Sequence, residues 1–106
     1  MIRKAFLMNV YKGKHDEYEQ RHKDIWPEMK NELKKHGVIS YSIYLDKEAS
    51  KLFAYLEIEN EEKWDQMAQT EVNRKWWDHM APLMETNEDN SPVVTDLREV
   101  FHLNQS

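Results

Sequence analysis

The sequence contains no cysteine, and only two glycines and three prolines in 106 residues. Without cysteine there are no disulfides, no thiolate metal ligands and no cysteine nucleophile. With Gly13 and Gly37 as the only glycines, no glycine-rich loop can cradle a phosphate. No P-loop, dinucleotide fingerprint or Gly-x-Ser-x-Gly turn is present either. Nucleotide binding, acyl transfer through a serine elbow and redox-cofactor chemistry therefore lose support together. Long hydrophobic runs are missing too: behind Met1-Ile2-Arg3-Lys4 the apolar stretch runs only from Ala5 to Met8 before Asn9 interrupts it. That is too short for a signal peptide, and nothing elsewhere reaches a membrane span. None of the histidines falls in a His-x3-His or His-Glu-x2-His spacing, so no metal is expected. The formal charge of −5 speaks against a nucleic-acid partner, which needs clustered Lys and Arg. These exclusions leave a soluble, cytoplasmic chain with residues 1–106 forming a single domain.

What is present alternates between strand and helix patterns. Ile2 to Val10 reads as a strand with Phe6, Met8 and Val10 on one face. After a turn at Tyr11-Lys12-Gly13, Lys14 to His36 reads as a long helix stopped by Gly37. Pro27 should kink or restart that helix near Asp24, because its ring clashes with the carbonyl of Lys23 and disfavours helical angles at Trp26. Val38–Leu45 and Lys51–Ile58 read as strands joined by a polar hairpin. Asn60 and Thr70 are placed to cap two further helices, the second carrying Trp76, Trp77, Met80, Ala81 and Met84 on one side. Asn87 to Pro92 is loop chemistry, and Leu97–Leu103 alternates as a last strand. The order βαββαβ predicts an α+β, ferredoxin-like fold with both helical layers on one face of the sheet. The strands expected at its centre are apolar on both sides: Leu52, Ala54, Leu56 and Ile58 face one way, Phe53 and Tyr55 the other. Helices cover only one face, so the bare apolar face predicts a homodimer.

One residue breaks the helical pattern. At about 100° per residue, Tyr18, His22, Ile25, Met29 and Leu33 project within an arc of about 80°. That stripe normally holds side chains without titratable protons. His22 is then either a core histidine hydrogen-bonded to a carbonyl or tyrosine, or a group that handles protons. Tyr18, one turn earlier on the same side, supplies a hydroxyl within reach. The adjacent indoles of Trp76 and Trp77 point about 100° apart. Both pack in the core, or one lines a cleft as a flat platform for a sugar or a hydrophobic ligand. Tyr41 lies on the Ile39, Ile43, Leu45 face of its strand and brings a hydroxyl that needs a partner. His15, His36, His79 and His102 are weaker candidates.

These residues resemble the L-rhamnose mutarotase family. The matching segments are Phe6-Leu7-Met8-Asn9-Val10, Tyr18-Glu19-Gln20-Arg21-His22, Ile25-Trp26-Pro27-Glu28, His36-Gly37, Tyr41-Ser42-Ile43-Tyr44-Leu45, Leu52-Phe53-Ala54, Trp76-Trp77, Asn90-Ser91-Pro92 and Glu99-Val100-Phe101. The resemblance implies a dimeric α/β-barrel that interconverts the α and β anomers of L-rhamnopyranose without a cofactor. It places the catalytic proton donor on His22 and substrate contacts on Tyr18, Tyr41, Trp76 and Trp77. In that chemistry His22 delivers a proton to the ring oxygen while a tyrosine or a water takes the other. Two alternatives stay open: a cofactor-free oxygenase on the same barrel, and a non-catalytic dimer that binds a small ligand.

Overall fold

The computed structural model describes residues 1–105. The chain runs β1 (Ile2–Asn9), α1 (His15–Lys23), α2 (Pro27–Lys35), β2 (Val38–Asp46), β3 (Lys51–Ile58), α3 (Glu61–Met67), α4 (Glu71–Met80), a 3-10 turn at Ala81–Leu83, and β4 (Thr95–Leu97). The strands form one antiparallel sheet in the order β2-β3-β1-β4. β1 and β3 are central, and their registered rows set the core: Phe6, Met8, Leu52, Ala54, Leu56 and Ile58 are buried beneath the helices. Tyr18 and Met29 close this core from α1 and α2, Met67 from α3, and Trp76 and Met80 from α4. Five of the six methionines (Met8, Met29, Met67, Met80 and Met84) are buried there. Among the described residues no helix is long and apolar enough to cross a membrane.

Local chemistry explains the breaks between elements. The helix expected over Lys14–His36 is two helices. Trp26, held extended (φ −61°, ψ 137°), is the N-cap of α2, and Pro27 occupies its first turn, where a missing N–H costs nothing. The side chains of Asn60 and Thr70 accept from the backbone N–H of Lys63 and Asn73, capping α3 and α4 as their positions predicted. α4 stops at Met80, because Pro82 admits only a 3-10 turn, and Met84 continues as a bridge to Val10. Gly37 turns the chain out of α2 at φ +83°.

Two expectations fail. Ile39 does not share the face of Tyr41, Ile43 and Leu45: the register shifts between Val38 and Ser40, so Ile39 is the extra residue of a bulge and is exposed. A one-residue bulge moves every earlier side chain of the strand relative to the alternation. The last strand is Thr95–Leu97 rather than Leu97–Leu103. Beyond Leu97 the chain is held by the paired bonds of Arg3 to Glu99, while Val100, Phe101 (79% exposed) and Leu103 are left uncovered. Their alternation is that of a strand for which this chain offers no second edge.

The helix-free face of the sheet carries Tyr44 (66% exposed) beside Phe53 (42% exposed), with Leu7 next to Phe53. The neighbouring row runs Tyr55, Ala5 and Leu97.

The two glycines separate backbone strain from crowding. Both have φ above +80°, but a Cβ on Gly13 meets nothing, whereas one on Gly37 lies 3.0 Å from Glu59 Oε1 and 3.2 Å from its Cβ. Gly13→Ala is expected to cost about 1 kcal/mol from left-handed strain alone. Gly37→Ala should cost about 2 kcal/mol, and urea midpoints at constant m-value measure the difference.

Candidate active site

His22 lies on the inner side of α1, at i+4 from Tyr18, so their side chains share a face. Its imidazole stacks on the Tyr18 ring with centroids 4.4 Å apart and forms a T-shaped pair with Trp76 at 5.4 Å and 90°. Nδ1 lies 3.1 Å from the carbonyl oxygen of Tyr18. A carbonyl only accepts, so Nδ1 carries the hydrogen and Nε2 of the neutral ring keeps a free lone pair. Desolvation lowers the His22 pKa below 6.5, and the bond to the Tyr18 carbonyl only partly offsets it. Burial acts on the phenols in the opposite direction. It pushes the Tyr18 hydroxyl far up, with nearby Tyr41 adding a little, and raises the Tyr41 hydroxyl to about 12. At neutral pH His22 is therefore an uncharged base, and the two phenols near it are protonated.

The surrounding helices keep this arrangement in place. Arg21, next to His22, donates to the carbonyl of His79 and to Glu17, tying α1 to the last turn of α4. Trp26, at the break between α1 and α2, packs edge-on against Trp76 at 5.1 Å. The Trp76-Trp77 doublet divides as two indoles 100° apart must. Trp76 is buried among aromatic rings, and Trp77 is half-buried with the Arg74 guanidinium 6.0 Å from its centroid. From the sheet, Tyr41 meets Trp64 at 6.1 Å.

Between the helices and the inner face of the sheet lies a cavity of about 860 Å³, well within the range of small-molecule sites. His22, Tyr18, Tyr41, Trp76 and Trp77 all line it, so every residue expected from the sequence is brought to one place. Its wall is mainly apolar and aromatic, with few polar groups to orient a ligand. Among the described residues no three metal-ligating side chains come together.

The cavity also contains residues that the sequence reading passed over. Asn73 and Trp64 line it, and so do Asn90 and Ser91 of the loop after α4. Asn90 holds φ at +67° and its amide donates to Asp78 on α4 at 2.9 Å, fixing that loop over the cavity. His15, among the weaker candidates in the sequence, lines the cavity as well and shares a 2.8 Å hydrogen bond with Ser50. The signal for His15 was its spacing: seven residues before His22 is two turns on the same face.

Comparison with known proteins gives the family and the fold. A model of the L-rhamnose mutarotase family matches residues 3–103. The chain is 63% identical to the L-rhamnose mutarotase of Oceanobacillus iheyensis over 103 residues, covering 97% of this chain and 99% of that protein. It is 62% identical to that of Bacillus subtilis with the same coverage. The crystal structure of L-rhamnose mutarotase from Formosa agariphila superposes with a TM-score of 0.91 at 42% identity, covering 98% of this chain and 100% of that one. A dimeric ferredoxin-like protein from an uncultured marine organism shares the fold at a TM-score of 0.64 and 12% identity, covering 97% and 96%.

The titration of His22 tests the site directly. Imidazole NMR is expected to give a pKa below 6.5, with the neutral ring protonated on Nδ1. The unfolded chain takes up this proton near its ordinary pKa, and the folded chain only at lower pH. Stability that is fully present above 6.5 is therefore lost as pH falls through the folded value. A pKa at or above 6.5, or an Nε2–H tautomer, would contradict the geometry.

Proposed function

The chain belongs to the L-rhamnose mutarotase family, and from that premise we propose that the cavity beside His22 is where it interconverts the α and β anomers of L-rhamnopyranose. The observation that carries this reading is the free Nε2 of a desolvated, neutral imidazole at a cavity walled by aromatic rings. Opening the pyranose breaks the bond between C1 and the ring oxygen, forms the C1 carbonyl, and moves one proton from the anomeric hydroxyl to the ring oxygen. Both oxygens are bonded to C1, so a nitrogen that reaches one also reaches the other. His22 accepts the anomeric proton first, because it rests unprotonated, and then delivers it to the departing ring oxygen. Rotation about the C1–C2 bond turns the opposite carbonyl face to the same hydroxyl, and reclosure reverses the transfer.

The other groups hold the sugar. Trp76, Trp77, Tyr18 and Tyr41 present ring faces to its C–H surfaces, and the methionine-rich wall suits the 6-methyl group. The phenols, protonated across the physiological range, donate hydrogen bonds and do not act as anionic bases. A positioned acid–base group typically contributes about 10²–10⁴-fold. His22→Ala is therefore expected to slow anomer exchange, followed by saturation-transfer NMR, by about a hundredfold or more. An unchanged exchange rate rules out the assignment. The acid limb of the wild-type kcat/KM profile should lie below pH 6.5, tracking the depressed His22 pKa.

The working form is a homodimer in which the helix-free sheet face meets that of a second copy. Support comes from the uncovered row of Tyr44, Phe53 and Leu7, and from the unpartnered apolar tail at Val100, Phe101 and Leu103. An antiparallel sheet that is apolar on both faces needs such cover. The cytoplasmic setting belongs to the same proposal and is supported by a chain without cysteine. Sedimentation at micromolar concentration is expected to give twice the chain mass of 12.9 kDa. Phe53→Glu should shift it to a single chain without loss of helix signal, and a wild-type monomer would exclude the assembly.

A further inference from the structure

Asn73 is buried in the wall of the cavity, 6% exposed, on the face of α4 that also carries Trp76, Trp77 and Met80. Its backbone N–H is taken by the N-cap hydroxyl of Thr70, but its carboxamide makes no hydrogen bond to any described residue. Among the described residues no fully enclosed side-chain polar atom lacks a partner. The carboxamide of Asn73 therefore keeps its contact with the open space of the cavity. A buried amide carries two donors and an acceptor, and buried polar groups find partners. Here the partner must come from what occupies the cavity.

We infer that Asn73 is a specificity-determining residue, its carboxamide hydrogen-bonding a pair of adjacent hydroxyls on the sugar; this rests on the reaction proposed above. The chemistry of the wall favours it. Indole and phenol faces recognise C–H surfaces that all pyranoses share, and they cannot read where hydroxyls stand. A carboxamide offers a donor and an acceptor side by side, which is the complement of two neighbouring hydroxyls held gauche on a ring. His22 has to face C1 and the ring oxygen. Asn73 stands one helical turn from Trp76, whose ring lies at right angles to that of His22, so it meets the hydroxyls on carbons beyond C1. A site built to bond a hydroxyl discriminates strongly against analogues that lack it, far more than an apolar wall does.

The test compares kcat/KM for anomer exchange of L-rhamnose with that of its 2-, 3- and 4-deoxy analogues, in wild-type protein and in Asn73→Ala. For rhamnose the variant should lose about tenfold or more, chiefly through KM. For each of the two deoxy sugars that lack one of the partner hydroxyls, the penalty of the variant should shrink, because one of the two bonds is already missing, while for the third it should match that for rhamnose. Asn73→Leu, which keeps the side-chain volume, should show the same pattern if the alanine variant folds poorly. A penalty equal for all four sugars within about twofold overturns the inference, since a packing defect slows every sugar alike. A wild-type protein that leaves rhamnose anomers unexchanged overturns the reaction itself, and the role of Asn73 with it.

Discussion

The hydrogen on Nδ1 of His22 points at the carbonyl of Tyr18, one turn back on the same helix, and from that contact the rest of the site takes its order. The bond fixes which nitrogen is free, and helix geometry fixes where that nitrogen points. The aromatic packing against Tyr18 and Trp76 removes the water that would otherwise stabilise a charged ring. Neutrality and orientation thus share one cause, a histidine on the stripe of a helix that faces the sheet. The chain's interruption just beyond it, with Trp26 extended and Pro27 starting the next helix, brings a second indole against Trp76 and completes the enclosure.

The sheet serves two purposes through the alternation of its strands. One set of residues in β1 and β3 builds the hydrophobic floor that the helices cover, and the cavity opens within that layer. The other set, Leu7, Phe53 and Tyr55 among them, is turned to the far side, where no helix lies. A strand with period two cannot be apolar on both sides by accident of packing, because each side needs its own cover. The same strands thereby floor the cavity on one face and leave an uncovered apolar row on the other.

Much of this was legible in the chain. Caps at Asn60 and Thr70, the restart at Pro27 and the hairpin strands all follow from interactions within a few residues, and those survive in the folded protein. His22 was visible because a titratable side chain interrupts an apolar stripe. A wider rule, any polar side chain on an apolar stripe, would have found Asn73 on α4, three and four residues before the indoles, but the stripe was started at Trp76. The bulge at Ile39 was not legible, since one extra residue in a strand is decided by pairing with β3 and leaves no local mark. The tail misled for a related reason: alternation reports that a segment is able to be a strand, and only a neighbouring edge makes it one. The loop over the cavity was read as a loop, while its tie to Asp78 depends on two elements meeting in space.

The five buried methionines also line the cavity. Thioether side chains are unbranched, polarisable and rotate easily, so they fill irregular gaps and adjust without moving the backbone. A lining of this kind adjusts to occupants of different shape. The accompanying vulnerability is oxidative. Sulfoxidation would plant a polar, chiral oxygen in the apolar lining, and a protein with no cysteine has no thiol of its own to intercept the oxidant first.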